Sequence, residues 1–438
     1  MNQQSTAEPT EWPSREAPPR YEQRVTGQVS LISRWIGASF ALCVGACITP
    51  PGASTPAGSN AEASPLAAAG PRPFTHSPAE ILAHAGIGWN VGNSLDVPEG
   101  ETAWGNPRVS ADLIRAVAHA GFGLVRIPIT WSKHMGPAPD FTIEPQWFER
   151  VDQVVGYARA AGVTAVIDLH HDGADGFKGV QWLALKDAAG NTTDENNAAV
   201  KARFVAVWGQ IAKHFSGAGE ELLFESMNEI HDGYGKPDPR HYSIINELNQ
   251  AFVSTVRASG GNNEKRSLVV PGYNTNIDQT LEGFTLPKDS AEQRLILSVH
   301  YYDPYLFALQ AKTHTWGEAS PNHDDFGQED FVLKQFDKLK SKFVDQGVPV
   351  FMGEYGATDQ VGYEDYRRYY MEYVTKAAIS RGILPVYWDN GGRGEGGEKF
   401  GLFDRSTNQI AYPDILAAMM RAKDPKMTLE QVQVARPK

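Results

Sequence analysis

Two glutamates, Glu229 and Glu354, each close an apolar run of strand length. The first run, Leu222-Leu223-Phe224-Glu225-Ser226-Met227-Asn228-Glu229, ends in an amide beside a carboxylic acid. The second, Val348-Pro349-Val350-Phe351-Met352-Gly353-Glu354-Tyr355-Gly356, ends in a glutamate flanked by glycines that allow close backbone approach. Apolar runs that stop in acid-bearing residues are how a parallel barrel presents chemistry at the carboxyl ends of its strands. Two carboxyls so placed are the minimum equipment for retaining glycoside hydrolysis, in which one protonates the leaving oxygen while the other attacks the anomeric carbon. That chemistry requires the two groups to lie about 5–5.5 Å apart.

Each candidate has a bland rival. A lone glutamate at a strand end is ordinarily structural, but two on suitable strands, one with an asparagine beside it, shift the weight to catalysis. Alternation with Met227 and Glu229 places Glu225 deeper on the same face of its strand, as a buried and paired structural acid. The clusters His170-His171-Asp172 and His231-Asp232 carry metal-ligand chemistry. The first strand nevertheless lacks the His-x-His pair of metal-dependent barrel hydrolases, so neither a metal nor a cofactor is expected. Among the tryptophans, Trp388 is expected to stack on a sugar face, whereas Trp104, Trp182 and Trp316 divide evenly between platform and core.

The elements that must position these groups alternate from Phe74 onward. Strand signals fall at Ile87–Asn93, Leu124–Pro128, Ala165–His171, Leu222–Glu229, Ser267–Pro271, Leu295–His300, Val348–Glu354 and Ile383–Trp388. Helix signals lie between them: from Ala111 behind the cap Ser110, then Gln146–Ala161, Ala198–Phe215, Tyr242–Ala258, Phe331–Gln346, Tyr363–Arg381 and Pro413–Ala422. Eight strands, each followed by a helix or a loop long enough for one, predict an α/β fold, a (β/α)8 TIM barrel over residues 74–425 with a tail at 426–438. The long segments Trp131–Ile143, Asp172–Glu195, Asp303–Gln328 and Asn390–Phe403 all follow strands, which puts them on the face that carries the glutamates.

The motifs Gly88-Trp89-Asn90-Val91-Gly92-Asn93, Val125-Arg126-Ile127-Pro128, Leu169-His170-His171, Phe224 to Glu229, His300-Tyr301-Tyr302, Gly353-Glu354 and Tyr387-Trp388 occur in an order that resembles glycoside hydrolase family 5, the cellulase family. The resemblance covers about Phe74 to Asp424. It implies Glu229 as acid/base and Glu354 as nucleophile. It also implies a substrate-binding shell of Asn93, Arg126, His170, His171, Asn228, His300, Tyr302 and Trp388. One departure is Ile230, where many members have proline after the Asn-Glu pair; it bears on loop geometry more than on chemistry. The physical roles follow. Glu354 must stay ionised, with Arg126 and the Tyr302 hydroxyl as its donors. Glu229 must keep its proton near neutral pH, which burial and a neighbouring carboxylate favour. Asn228 offers an amide to the sugar 2-hydroxyl, and His170 and His300 orient rather than titrate. The activity expected is that of a retaining endo-β-1,4-glucanase acting on cellulose-like, mixed-linkage or xyloglucan chains. The alternatives are a β-1,4-mannanase, a metal-dependent hydrolase and a non-catalytic glycan-binding barrel.

Composition is consistent with this. The chain has 438 residues, 41% hydrophobic and 21% charged, enough for a large core. A net charge of -12 without clustered Lys and Arg argues against a nucleic-acid partner and suits a neutral polysaccharide or oligosaccharide. Both cysteines, Cys43 and Cys47, precede the barrel, which therefore has no disulfide, thiolate zinc ligand or cysteine nucleophile. Arg34 leads into an apolar stretch, Trp35–Ala46, that is short for a membrane span and reads as a signal-peptide core. Val44-Gly45-Ala46-Cys47 resembles the bacterial lipobox. Residues 1–47 are thus expected to be a leader and lipoprotein-like signal, and 48–73, rich in Pro, Ala, Gly and Ser, a disordered tether. An exported monomer is expected, secreted or held on the cell envelope through a lipidated Cys47.

Overall fold

In a computed structural model of the protein, residues 74–173, 180–233 and 235–437 are described; the expected signal segment with Cys47 and the expected tether fall outside them. Eight strands form the centre: β1 (Gly88–Val91), β2 (Leu124–Ile127), β3 (Thr164–Ile167), β4 (Leu222–Glu225), β5 (Leu268–Pro271), β6 (Leu295–Tyr301), β7 (Val350–Tyr355) and β8 (Ile383–Asp389). All pair in parallel in sequence order, and β1 pairs with β8, so the sheet closes into a barrel. The main outer helices are α2 (Ala111–His119), α3 (Pro145–Ala160), α4 (Asp194–His214), α5 (Pro239–Ala258), α8 (Glu329–Lys342), α9 (Glu364–Ile379) and α10 (Pro413–Ala422). Their starts follow from side-chain chemistry. Ser110 accepts the Leu113 N–H at 3.2 Å and Thr193 caps α4 through the Asn196 N–H at 3.2 Å. No helix of the described residues is long and apolar enough to cross a membrane.

The two faces of each strand serve different cores. Val125, Ile127, Ala165, Ile167, Phe224, Val270, Leu297 and Met352 pack outward with the helices. Leu124, Val166, Leu223, Val269, Ile296, Phe351, Leu384 and Val386 fill the barrel interior, together with Ile81, Leu82 and Ala85. These last three belong to α1 (Pro78–Ala85), a helix the sequence did not announce, which closes the lower end of the barrel. The period of two then carries polar side chains inward at the upper strand ends: Asn90, Arg126, Glu225 and Ser298, with Asp168 just beyond β3. Met227, by contrast, packs in the outer core. The expected alternation of Glu225, Met227 and Glu229 on one face is therefore corrected, because β4 ends at Glu225 and the chain turns.

Strand β7 breaks its own alternation. Val299 pairs with Met352 but His300 pairs with Glu354, so Gly353 is an extra residue, a β-bulge. Phe351 faces inward and Met352 outward. A regular strand would send Glu354 outward, and the bulge turns it back into the barrel.

Smaller elements decorate this frame. Helices α6 (Ile277–Gly283) and α7 (Tyr305–Ala308) follow β5 and β6, and a hairpin of β9 (Phe403–Asp404) and β10 (Gln409–Ile410) follows β8. The helix expected over Phe331–Gln346 stops at Lys342, and a 3-10 turn follows at Val344–Gln346. Beyond residue 425 the chain forms α11 (Leu429–Val434), started by a Thr428–Gln431 capping box. Val432 is buried, and Arg436 pairs with Glu329 at 2.5 Å.

Candidate active site

Arg126, at the inner face of β2, is fully buried and organises the site. A guanidinium has five N–H donors in a rigid fork. Here Nε donates to Glu225 at 2.6 Å, Nη1 to Asn90 at 3.1 Å and Glu354 at 2.9 Å, and Nη2 to Asp168 at 2.8 Å and Asn228 at 2.9 Å. Glu354 receives its other hydrogen bond from the Tyr302 hydroxyl at 2.9 Å. Gly353 makes this possible, since a Cβ there would lie 2.8 Å from Phe351 and 3.1 Å from both His300 Nε2 and Ser298 Oγ. With its oxygen turned to Arg126, the Asn228 amide keeps its N–H groups for another acceptor.

Glu229 stands across from Glu354 on the turn after β4. The Asn228 N–H binds the Leu169 carbonyl at 2.9 Å and the Asn274 N–H binds the Ile230 carbonyl at 3.0 Å, so the turn is tied to both neighbouring loops. Ile230 N–H itself bonds Asn228 O at 3.1 Å, a contact proline at this position would lack. The Glu229 carboxyl lies 2.5 Å from His300 Nδ1 and receives a long contact, 3.4 Å, from the Thr275 hydroxyl. One oxygen of Glu229, one of Glu354 and a His300 nitrogen all lie within 4.8 Å of one another. The spacing suits the roughly 5–5.5 Å of a retaining pair rather than the 6.5–9.5 Å that admits a water between inverting carboxyls.

Burial raises the Glu354 carboxyl above its ordinary range, and the His300, Arg126 and Tyr302 side chains pull it back. Burial raises Glu229 as well, although its side chain is 34% exposed against 7% for Glu354. Their settings differ: Glu354 is hydrogen-bonded by a guanidinium and a phenol hydroxyl, whereas Glu229 has only an imidazole and the long Thr275 contact. Burial pushes the His300 imidazole down to about 4, so at neutral pH it is an uncharged partner to Glu229. His170 is likewise held well below its usual range by burial and contacts Asp168 through Nδ1 at 2.9 Å.

The remaining expected residues line the path beside this pair. Trp388 is half-buried and parallel to the His170 ring, centroids 5.7 Å apart and 6° between planes. Its indole lies over Gly92, where a Cβ would come within 2.6 Å of it. His171 is half-buried with Nε2 3.5 Å from Asp96, and Trp104 lies 5.7 Å from its ring. Asn93 adopts a left-handed φ of 53° and gives its N–H to Asp96 at 3.0 Å. Trp316 is a correction to the even division above: it is fully buried among Tyr369, Tyr370 and Tyr373 and belongs to the core. Trp182 is half-buried against Arg203 and bonds Asp172 at 2.8 Å.

Sequence reasoning missed Asn90, Asp96 and Asp168. Asn90 was within reach, because Trp89 and Val91 are outward and strand parity puts Asn90 inside. Asp168 carried the same signal, two residues after the inward Val166, whereas Asp96 lies in the loop after β1 and carried none. Among the described residues two groups have metal-ligand spacing, Asp96/His170/His171 and Glu229/His300/Glu354. The fixed charge of Arg126, 2.9 Å from Glu354, opposes a cation in the second.

A pair of carboxyls this close, at the carboxyl ends of two barrel strands, suits cleavage of a glycosidic bond. The protein is accordingly a glycoside hydrolase of the kind that works through two carboxyl groups. The model of the cellulase family, glycosyl hydrolase family 5, matches residues 90–394. Endoglucanase A of Paenibacillus barcinonensis is 40% identical over 367 residues, covering 78% of this chain and 89% of that protein. A broad-specificity endoglucanase from Bacteroides salanitronis superposes with a TM-score of 0.74 at 44% identity, covering 80% of this chain and 96% of the other. A family 5 xyloglucanase from Paenibacillus pabuli gives a TM-score of 0.74 at 41% identity, covering 78% and 100%. The chain belongs to glycosyl hydrolase family 5, and it is a cellulase-like enzyme.

Proposed function

We propose that the protein hydrolyses β-1,4-glucan chains internally by double displacement, with Glu354 as nucleophile and Glu229 as acid/base. The observation that carries this is the unequal setting of two close carboxyls: Glu354 is held by Arg126 and Tyr302, while Glu229 faces an uncharged imidazole. Attack by Glu354 on the anomeric carbon proceeds as Glu229 gives its proton to the leaving oxygen. Once Glu354 is esterified its charge is gone, the Glu229 proton becomes easier to lose, and Glu229 serves as base toward water. Asn228 directs its amide donors at the sugar 2-hydroxyl. The half-buried indole of Trp388, parallel to the buried His170 ring, offers a sugar a flat face.

Relatives named for endoglucanase, broad-specificity and xyloglucanase activities support a β-1,4-glucan backbone as substrate. A panel of carboxymethylcellulose, mixed-linkage glucan, xyloglucan and mannan, assayed for new reducing ends, ranks the substrates. Proton NMR of the first product on the best of them should show the β-anomer, and an α-anomer would overturn the mechanism. Greater activity on mannan than on every glucan would overturn the substrate class. We further propose that the enzyme is a monomer and is exported, either secreted or held on the cell envelope through a lipidated Cys47, the anchor on the strength of the lipobox-like Val44-Gly45-Ala46-Cys47.

A further inference from the structure

Two buried carboxylates have no part in the steps above. Glu225 and Asp168 are both 0% exposed and meet Arg126 on opposite edges, at Nε and Nη2. Their remaining contacts are also internal: Glu225 accepts from Ser298 Oγ at 2.7 Å, and Asp168 accepts from the Ile129 N–H at 2.9 Å and contacts His170 Nδ1 at 2.9 Å. With the guanidinium plane gripped on both edges, its Nη1 is aimed at Glu354 and Asn90 alone. One positive charge is thus divided among three carboxyl groups.

We propose that Glu225 is a positioning residue that sets how strongly Arg126 stabilises the nucleophile, fixing its direction and at the same time drawing off part of its charge. The inference rests on the assignment of Glu354 as nucleophile. An arginine given wholly to Glu354 would hold that carboxylate so firmly that its basicity, and with it its attack on carbon, would fall. Shared with Glu225 and Asp168, it keeps Glu354 ionised without quenching it. Burial raises Asp168 to about 6, which fits a cage holding more negative charge than one guanidinium neutralises. The charged or titratable groups acting on Glu354 are Arg126 from β2, Glu229 from the turn after β4, and His300 and Tyr302 from β6 and beyond, while Glu225 and Asp168 act on Arg126 and His300.

The test is the pH profile of kcat/KM, which reports ionisation of the free enzyme. Glu225→Gln keeps an acceptor for Arg126 Nε and removes the charge. Loss of a nearby negative charge makes Glu354 easier to ionise, so the acid limb should move to lower pH by on the order of one unit, with a lower plateau kcat. Glu225→Asp keeps the charge but withdraws it from Nε; the plateau should fall with the acid limb nearly in place. A folded Glu225→Gln enzyme whose acid limb stays put or moves up overturns the proposal. Should that variant not fold, Asp168→Asn removes a charge from the opposite edge, and its acid limb must move down for the proposal to stand. Labelling the wild-type enzyme with a 2-deoxy-2-fluoro cellobioside, followed by peptide mass mapping, separates the two questions. Label on a residue other than Glu354 refutes the nucleophile assignment, whereas label on Glu354 with an unmoved limb refutes the role of Glu225 alone.

Discussion

Gly353→Ala is the most exacting perturbation of this site, because it adds one carbon where β7 bulges. The new Cβ would stand 2.8 Å from Phe351 Cε1 and 3.1 Å from His300 Nε2 and Ser298 Oγ. Carbon atoms rest about 3.5–4.0 Å apart, so something must yield by roughly 0.7 Å or more. Phe351, fully buried in the barrel interior, has nowhere to go. The strain therefore falls on the bulge and on the next residue, Glu354. Overpacking of this kind costs about 1–3 kcal/mol of stability, a few degrees in melting temperature for a domain of this size. Catalysis should suffer far more, since a misplacement near 1 Å lowers a rate on the order of 100-fold. Hydrolysis of an aryl β-cellobioside and a thermal melt, measured together, make the comparison. Gly156→Ala is the control: that glycine lies within α3 and a Cβ there meets nothing within 4 Å. It should leave kcat/KM unchanged and raise stability slightly, by roughly 0.5–1 kcal/mol. Wild-type kcat/KM in Gly353→Ala, with an unaltered melt, would refute the claim that the bulge aims Glu354.

The two glutamates can be told apart with azide. Glu229→Ala should still release an acidic phenol in a burst, regain turnover with azide and yield a β-glycosyl azide, whereas Glu354→Ala should give the α-product by entry from the opposite face; one anomer from both variants contradicts the assignment. Cys47→Ala should release active protein from the membrane fraction, because the barrel contains no cysteine. Mass spectrometry finding an unmodified mature N-terminus beyond Cys47 would rule out the anchor.

The barrel was legible because its signals are local. Strands such as Leu124–Ile127 and helices such as Pro413–Ala422 declare themselves by apolar period, caps and prolines. The Glu229–Glu354 pair was legible because each stands at the end of such a strand. What stayed hidden depends on departures from period. Met227 was misplaced because β4 stops at Glu225 and nothing in the sequence marks the turn. Simple alternation from Phe351 would have sent Glu354 outward, and only the pairing of His300 with Glu354 reveals the inserted residue. Trp316 sat in a long post-strand segment, yet three tyrosines of α9 enclose it, a contact more than fifty residues away that no window on the sequence contains. The five acceptors around Arg126 come from four different strand ends or turns, so their convergence is a product of closure itself.

Helix α1, which closes the lower end of the barrel, also fixes where the described chain enters it. Phe74 to Ser77 run beneath the strands: the Thr75 and His76 N–H groups bind Glu220, ahead of β4, and Arg294, ahead of β6, grips the His76 carbonyl at 2.7 Å. Phe74 therefore lies at the pole opposite Glu229 and Glu354, which stand at the carboxyl ends of the strands. A linkage made at Phe74 would leave the face that carries the two glutamates uncovered.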